Sequence, residues 1–396
     1  MKKSYKTLIF LIIYLAYTSI YIARVNLSQA GPELINLGVL DETSLGLLGS
    51  VFSTVFSVGR LINGGLSDKT PPFIMISTGL ALAGISNALI SFLPPFIAIF
   101  LLWMVNSFAP SMLWSSVLCV VSSIYEGKTA KRKTSIMVTS VATGNILGII
   151  LNTFVITEFG VGYAFLVPGG ITLILGLAVL LTARKIPAPT AQNGKKQKSM
   201  FQLIKNPELL FMLIPALFHG VMKENVTLWM TVFIVDTYVV NLSESAYFIF
   251  LIPVIALIGR TAYSFVYKLF KENENTVSVF GFGLCIVSAA VLCLVKTNMV
   301  VSVIMLSLVY TAASMINTSM LSIYPMNFLK SGNVASVSGI MDFATYLGAG
   351  VSAAIYGVVI KNLGFVPMFI SWIVISVISA VIIIKINANN RKKTVG

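Results

Sequence analysis

The residues of strongest chemical character here are cations set where the chain should be apolar. Tyr14, Tyr17, Tyr21 and Arg24 follow one another at 3, 4 and 3 residues inside the first apolar run, so on a helix they share one face. An arginine on such a stripe should not turn to lipid, because a charge at the bilayer centre costs roughly 2.5–3.5 kcal/mol even on a lenient scale. Either it faces a polar cavity, or it ends the span and snorkels to the interface. Lys223 is harder to place at an interface: LLFMLIPALFHGVM precedes it and NVTLWMTVFIV follows closely. Two such cations repel and are costly unless something neutralises them. A bound anion would do so. The alternative is internal pairing, Lys223 with Asp342 or Arg24 with Glu33.

The elements that must position these groups are membrane helices. The chain has 396 residues, 57% hydrophobic and only 10% charged, against about 25% charged in soluble domains. Runs of around 20 apolar residues, enough to cross a bilayer, lie near 7–29, 44–66, 73–92, 96–122, 134–156, 161–182, 208–235, 246–267, 275–295, 298–324, 334–359 and 364–386. That predicts an all-α integral membrane protein with twelve transmembrane helices. The opening MKKSYKTLIFLIIYLAY resembles a signal peptide but lacks a small-residue cleavage site, so a retained first helix is expected.

Basic residues set the orientation. Of the 27 lysines and arginines, Lys296 and Lys361 lie in connections on one side, and Arg24, Arg60, Lys223 and Arg260 lie within spans. All the others fall in alternate connections on the opposite side or at the termini, which places both termini in the cytoplasm of a multi-pass cell-membrane protein. The net charge of +14 therefore reads as topology rather than as a nucleic-acid surface, which would gather its basic residues on one folded face. Cys119, Cys285 and Cys293 all sit in apolar runs, with neither metal-ligand spacing nor a disulfide framework.

The longest cytoplasmic connection, ARKIPAPTAQNGKKQKSMFQLIKN, divides the chain into an N-terminal six-helix bundle (1–182), a basic linker (183–206) and a C-terminal six-helix bundle (207–396). The halves echo one another. Arg24-Val-Asn26 is answered by Lys223-Glu-Asn225 after 199 residues, and Gly59-Arg60 by Gly259-Arg260 after 200. Leu147-Gly148 is answered by Leu347-Gly348, again after 200. Two pseudo-symmetric bundles with a site at mid-depth form a known secondary-transporter plan, and they would bring Arg24 and Lys223 together across the pseudo-axis.

Other polar residues in spans carry two readings each. His219, one turn before Lys223, either contacts a substrate and titrates or bonds a neighbouring helix. Asp342 either couples transport to protons or pairs with Lys223, and Glu224, next to Lys223 in sequence, points about 100° from it on a helix. Arg60 either touches the substrate or snorkels, and Arg260 leans towards a structural role. Asn145 and Asn152 either line a cavity or bond between helices. The glycines of TGNILG and YLGAG read as close helix packing.

Gly64-Gly-Leu-Ser-Asp68-Lys69, after the second span, resembles the loop signature of the major facilitator superfamily. The resemblance implies that Gly64, Asp68 and Lys69 form a cytoplasmic latch during rocking; the corresponding Ser264-Phe-Val-Tyr267-Lys268 has no Asp. Within the superfamily the chain resembles the organophosphate–phosphate antiporter branch. Tyr17, Tyr21, Arg24 and Asn26 fit its YxxxYxxRxN pattern, Arg60 stands eight residues before Asp68, and Lys223 six before Trp229. The eleventh span, SGIMDFATYLGAGVS, is similar to that branch's Tyr-Leu-Gly segment, and Asn106, Ser111, Met112 and Trp114 keep an NxxxxSMxW frame. The resemblance implies a substrate phosphate held by the cations of the first and seventh helices. Departures are Pro110 for a usual glutamine, Ser115 for a proline, Cys119 for an arginine, and Lys223, a point charge, for an arginine fork.

The expectation is a secondary transporter moving a small organic anion by alternating access, with Arg24, Lys223, Tyr17, Tyr21, Arg60 and His219 as candidate substrate contacts. Asp342 and Glu224 are the candidate coupling or pairing acids. A proton or a counter-anion would supply the energy, since no ATP-binding loop is present; no cofactor or metal is expected, and the chain should act as a monomer in the bilayer. Export of a drug or neutral solute predicts an apolar cavity with an acid rather than two cations. A transporter-like anion sensor is the other alternative. An enzyme would need an acid cluster or a histidine-acid set, and the one histidine and scattered acids offer neither.

Overall fold

Proline, asparagine and glycine mark where the helices start and stop. Pro72 takes the first position of its helix after extended Pro71, where its missing N–H is no loss. Asn206 caps another by accepting from the Glu208 N–H at 3.0 Å, and Asn298 a third by accepting from Val301 at 3.2 Å. At the other ends, Gly160 (φ +102°) and Gly364 (φ +73°) adopt left-handed backbone that halts two helices.

A computed structural model describes residues 3–67, 70–125, 127–183, 203, 205–294, 298–331 and 334–395. Among these residues every regular element is helical. The helices are α1 (Lys3–Asn36), α2 (Glu42–Ser67), α3 (Pro72–Ile90), α4 (Phe96–Phe108), α5 (Leu113–Ile124), α6 (Gly127–Phe159) and α7 (Tyr163–Ala183). After the connection come α8 (Pro207–Tyr238), α9 (Leu242–Leu269), α10 (Glu274–Leu294), α11 (Met299–Asn317), α12 (Val334–Leu363) and α13 (Val366–Val395). Among the described residues, 10 helices are long and apolar enough to cross a membrane, one of them running from Phe96 to Val121 through the 3-10 turn Ala109–Met112. That turn lies at Pro110, which cannot donate to the helical ladder. Beyond α11 the helix widens into a π-helical segment (Thr318–Ile323), where the Leu321 carbonyl accepts from Ser338 Oγ at 2.9 Å.

The chain divides into two compact units: Met1–Gln192 with Asn241–Phe250, and Asn193–Val240 with Leu251–Gly396. In the first unit, α1 lies on α6 and α3 on α7. Gly144 and Gly148 of α6 bring its backbone against Thr18, Tyr21, Ile22 and Val25 of α1, and Gly84 and Gly169 meet between α3 and α7. In the second unit α8 lies on α12, where a Cβ on Gly220 would meet the Thr345 carbonyl and one on Gly348 the Leu217 carbonyl. Small residues allow this backbone approach, which supplies the van der Waals attraction that lipid does not. The repeat appears in packing too. Gly59 of α2 sits against Ser111, and Gly259 of α9 sits against Thr311.

Candidate functional site

In the first unit, α1 places the tyrosine–arginine stripe. Tyr14 leans away, its hydroxyl 3.0 Å from Thr139 Oγ1 and 3.2 Å from Thr143 Oγ1 on α6. Tyr17 is buried, 5.4 Å from the Tyr21 ring and 5.2 Å from the Trp114 ring. The half-buried Arg24 holds its guanidinium 4.6 Å from the Phe52 ring and 5.8 Å from the rings of Tyr21 and Phe56. Arg60 lies 5.2 Å from that same Phe56 ring. A cation over an aromatic face gains about 0.5–2 kcal/mol, more as water is excluded. The helix does not end at Arg24: α1 continues to Asn36, roughly 18 Å further along its axis.

The aromatic wall on α2 went unnoticed in the sequence, yet Phe52, Phe56 and Arg60 recur every fourth residue and so share a helix face. Phe52 and Phe56 stack with their ring centroids 6.0 Å apart and planes 12° apart. This stripe, facing Arg24, is the signal that would have found them.

Several motif residues are spent on joining helices. Asn26 Nδ2 donates to Asn87 Oδ1 at 2.7 Å and to the Ala164 carbonyl at 3.2 Å, and Asn87 Nδ2 donates to Asn106 Oδ1 at 2.9 Å. One chain of buried amides thus ties α1 to α3, α4 and α7. Asn152 donates to the Ile22 carbonyl at 3.2 Å, which is the helix-bonding alternative, while Asn145 is half-buried on α6. Asn63 donates to Ser111 Oγ at 2.7 Å. Asn87, alone in an apolar run, carried no pattern to announce it.

In the second unit, Lys223 Nζ lies 3.0 Å from Glu224 Oε1, with the two side chains 22% and 13% exposed. The helical angle between neighbouring residues directs their Cα–Cβ bonds apart, but the four-carbon lysine stem and the glutamate reach back to one another. The expectation that Glu224 points away from Lys223 is therefore corrected. Lys223 Nζ also sits 5.4 Å from the centroid of Tyr346 on α12, one turn beyond the half-buried Asp342. His219 is fully buried and its Nε2 donates to the Ala313 carbonyl of α11 at 2.9 Å. Asn225, the counterpart of Asn26, is likewise buried and donates to Ser352 Oγ on α12 at 2.8 Å.

Gly64 lies in α2, whereas Asp68, Lys69 and nearly all of the 183–206 linker lie outside the described residues, as does the side chain of Arg260. Among the described residues no three His, Cys, Asp or Glu side chains gather as metal ligands would.

The profile of the Major Facilitator Superfamily matches residues 8–353. A probable hexose phosphate transport protein of Chlamydia muridarum (strain MoPn / Nigg) is 28% identical over 207 residues, which cover 50% of this chain and 44% of that protein. Membrane sensor protein UhpC of Escherichia coli (strain K12) is 32% identical over 111 residues, covering 28% of this chain and 25% of that protein. The chain thus spans less than half the length of either curated relative. A solved structure of a bacterial homologue of the human lysosomal transporter Spinster, inward-facing and occupied, superposes with a TM-score of 0.82 at 14% identity over 98% of each chain. That likeness speaks for the fold. The two relatives bear out the resemblance to the organophosphate–phosphate antiporter branch that the helix motifs carry. The chain belongs to the major facilitator superfamily.

Proposed function

We propose that this chain is a secondary active transporter that moves a small organic anion, phosphorylated or carboxylated, across the cell membrane by alternating access. The observation that carries the reading is the wall in the first unit, where the guanidiniums of Arg24 and Arg60 share the ring of Phe56 at 5.8 and 5.2 Å. Two guanidiniums gathered on one aromatic wall make a locus of positive charge that an anion would be drawn to. Arg24 and Lys223 each contribute a cation to binding, Tyr17 and Tyr21 contribute hydroxyl and ring contacts, and Arg60 completes the set. The hydrogen bond of His219 to Ala313 supports a packing role for that residue. Names of relatives that refer to hexose phosphate support phosphate esters as the first substrates to try.

The proposal includes twelve spans in the bundles 1–182 and 207–396, a basic cytoplasmic linker over 183–206, both termini in the cytoplasm, and a latch made by Gly64, Asp68 and Lys69. The test is thermal stabilisation of purified protein by glucose 6-phosphate, glycerol 3-phosphate, inorganic phosphate and dicarboxylates, repeated on Arg24→Ala. Stabilisation by one anion class that disappears in the variant supports the reading. Equal stabilisation of Arg24→Ala contradicts it.

A second reading, an anion sensor that signals without transport, is favoured by the similarity to a membrane sensor protein. Uptake of the bound anion by the protein alone in liposomes would exclude it.

A further inference from the structure

The end of α6 and the first turns of α9 frame a groove of about 440 Å³ inside the first unit. That volume falls within the roughly 300–1,000 Å³ of pockets that hold small molecules. Most of the wall is apolar. Ile149, Ile150 and Phe154 line it from α6, and Ile150 and Phe154 are 52% and 56% exposed, so they face the bilayer rather than the bundle. Polar groups stand at one end: Thr157 and Glu158 close to the end of α6, and Tyr247 near the start of α9. None of these residues is among the candidate anion contacts.

The length of the groove matches one leaflet. Glu158 stands one residue before the end of the membrane-crossing stretch Ile136–Phe159. Aromatic rings gather at that level, Phe159 lying 6.2 Å from Phe154 and 5.6 Å from Tyr163. Such rings collect where hydrocarbon meets water. Ile149 comes nine residues before Glu158, roughly 13 Å deeper along the helix. Half of a hydrocarbon core is about 15 Å thick. An acyl chain that enters beside Glu158 therefore runs along the wall most of the way to the bilayer midplane.

The polar end selects the lipid head. Glu158 is exposed and meets no cation among the described residues, so its carboxylate is open to one from outside the chain. A primary ammonium both attracts a carboxylate and donates hydrogen bonds to it. The hydroxyls of Thr157 and Tyr247 can donate to a phosphate. Ammonium, phosphate and acyl chain are the parts of one class of molecule. We propose that this groove binds an aminophospholipid, with its ammonium on Glu158, its phosphate beside Thr157 and Tyr247, and an acyl chain along Ile149, Ile150 and Phe154. The lipid belongs to the leaflet that α6 reaches at its C-terminal end. A choline lipid can lay the same chain on the same wall, but its quaternary nitrogen has no hydrogen to donate to the carboxylate.

The experiment is native mass spectrometry of the full chain in detergent, with phosphatidylethanolamine and phosphatidylcholine of identical acyl chains added in equal amounts. Both lipids are zwitterionic, so the basic connections of the chain do not sort them. The wild type should retain the ethanolamine lipid about two- to fivefold over the choline lipid, the scale of an exposed ion pair. Glu158→Gln and Glu158→Ala should each bring that ratio to about one. Ile150→Trp, which fills the groove from a side chain that faces lipid, should lower retention of both lipids. Equal retention of the two by the wild type overturns the proposal whether or not the variants fold. So does a preference that persists in either Glu158 variant, which would place the amine elsewhere, or unchanged retention in Ile150→Trp, which would place the acyl chain elsewhere. All of these outcomes leave the anion reading standing.

Discussion

Replacing Asn87 with alanine separates the residues that hold the first unit together from those that hold a solute. Asn87 accepts from Asn26 at 2.7 Å and donates to Asn106 at 2.9 Å, and the three side chains are 0%, 0% and 2% exposed in the order Asn87, Asn26, Asn106. Hydrogen bonds between membrane helices average about 0.6 kcal/mol and reach about 1.7. Asn87→Ala removes two of them and strands the Asn106 oxygen, so a cost of about 1–3 kcal/mol is expected. Asn106→Ala removes one and should cost about half as much. In a double-mutant cycle the pair should couple by at least about 0.6 kcal/mol, beyond the scatter of independent sites. The assay is SDS-induced unfolding in mixed micelles, followed by tryptophan fluorescence, with anion affinity measured on the folded protein. Affinity should stay at the wild-type value. Additive single effects, or lost affinity at unchanged stability, would refute the assignment of these amides to packing.

Glycines make a second test. Gly220→Ala should destabilise by about 1–3 kcal/mol because its new methyl meets the Thr345 backbone, whereas Gly283→Ala, with open space around its Cβ, should be neutral or stabilising; thermal unfolding in detergent compares them. Phe52→Leu should weaken anion binding about three- to tenfold by removing the ring 4.6 Å from Arg24, while Phe52→Tyr should bind like wild type, as read by calorimetry. Wild-type affinity in Phe52→Leu would mean that the ring does not hold Arg24 for its ligand.

The helical membrane fold was legible because long apolar runs and punctuating Pro, Asn and Gly leave few alternatives. The internal repeat was legible as short matches, and its packing meaning emerges where Gly59 meets Ser111 and Gly259 meets Thr311. Reading the TGNILG and YLGAG glycines as packing residues proved sound at Gly144, Gly148 and Gly348, since a missing side chain has one common use at a helix crossing. Periodicity served less well for long polar side chains. It fixes the direction of a Cα–Cβ bond, whereas the Lys223–Glu224 contact depends on where two flexible ends meet. The Asn26–Asn87–Asn106 chain was hidden for a related reason: each amide sits on a different helix, so no spacing along the sequence links them. The α2 aromatics share one helix face at an interval of four, but that spacing does not say which helix the face meets.

The central claim is that Arg24 serves an anion that crosses the membrane. Liposomes containing the purified protein, with inorganic phosphate inside and an inward proton gradient, should accumulate labelled glucose 6-phosphate or another anion of the panel. Arg24→Lys, which keeps the charge but loses the planar fork, should retain a reduced rate, and Arg24→Ala should fall to the level of empty liposomes. Accumulation by Arg24→Ala at the wild-type rate would contradict the account.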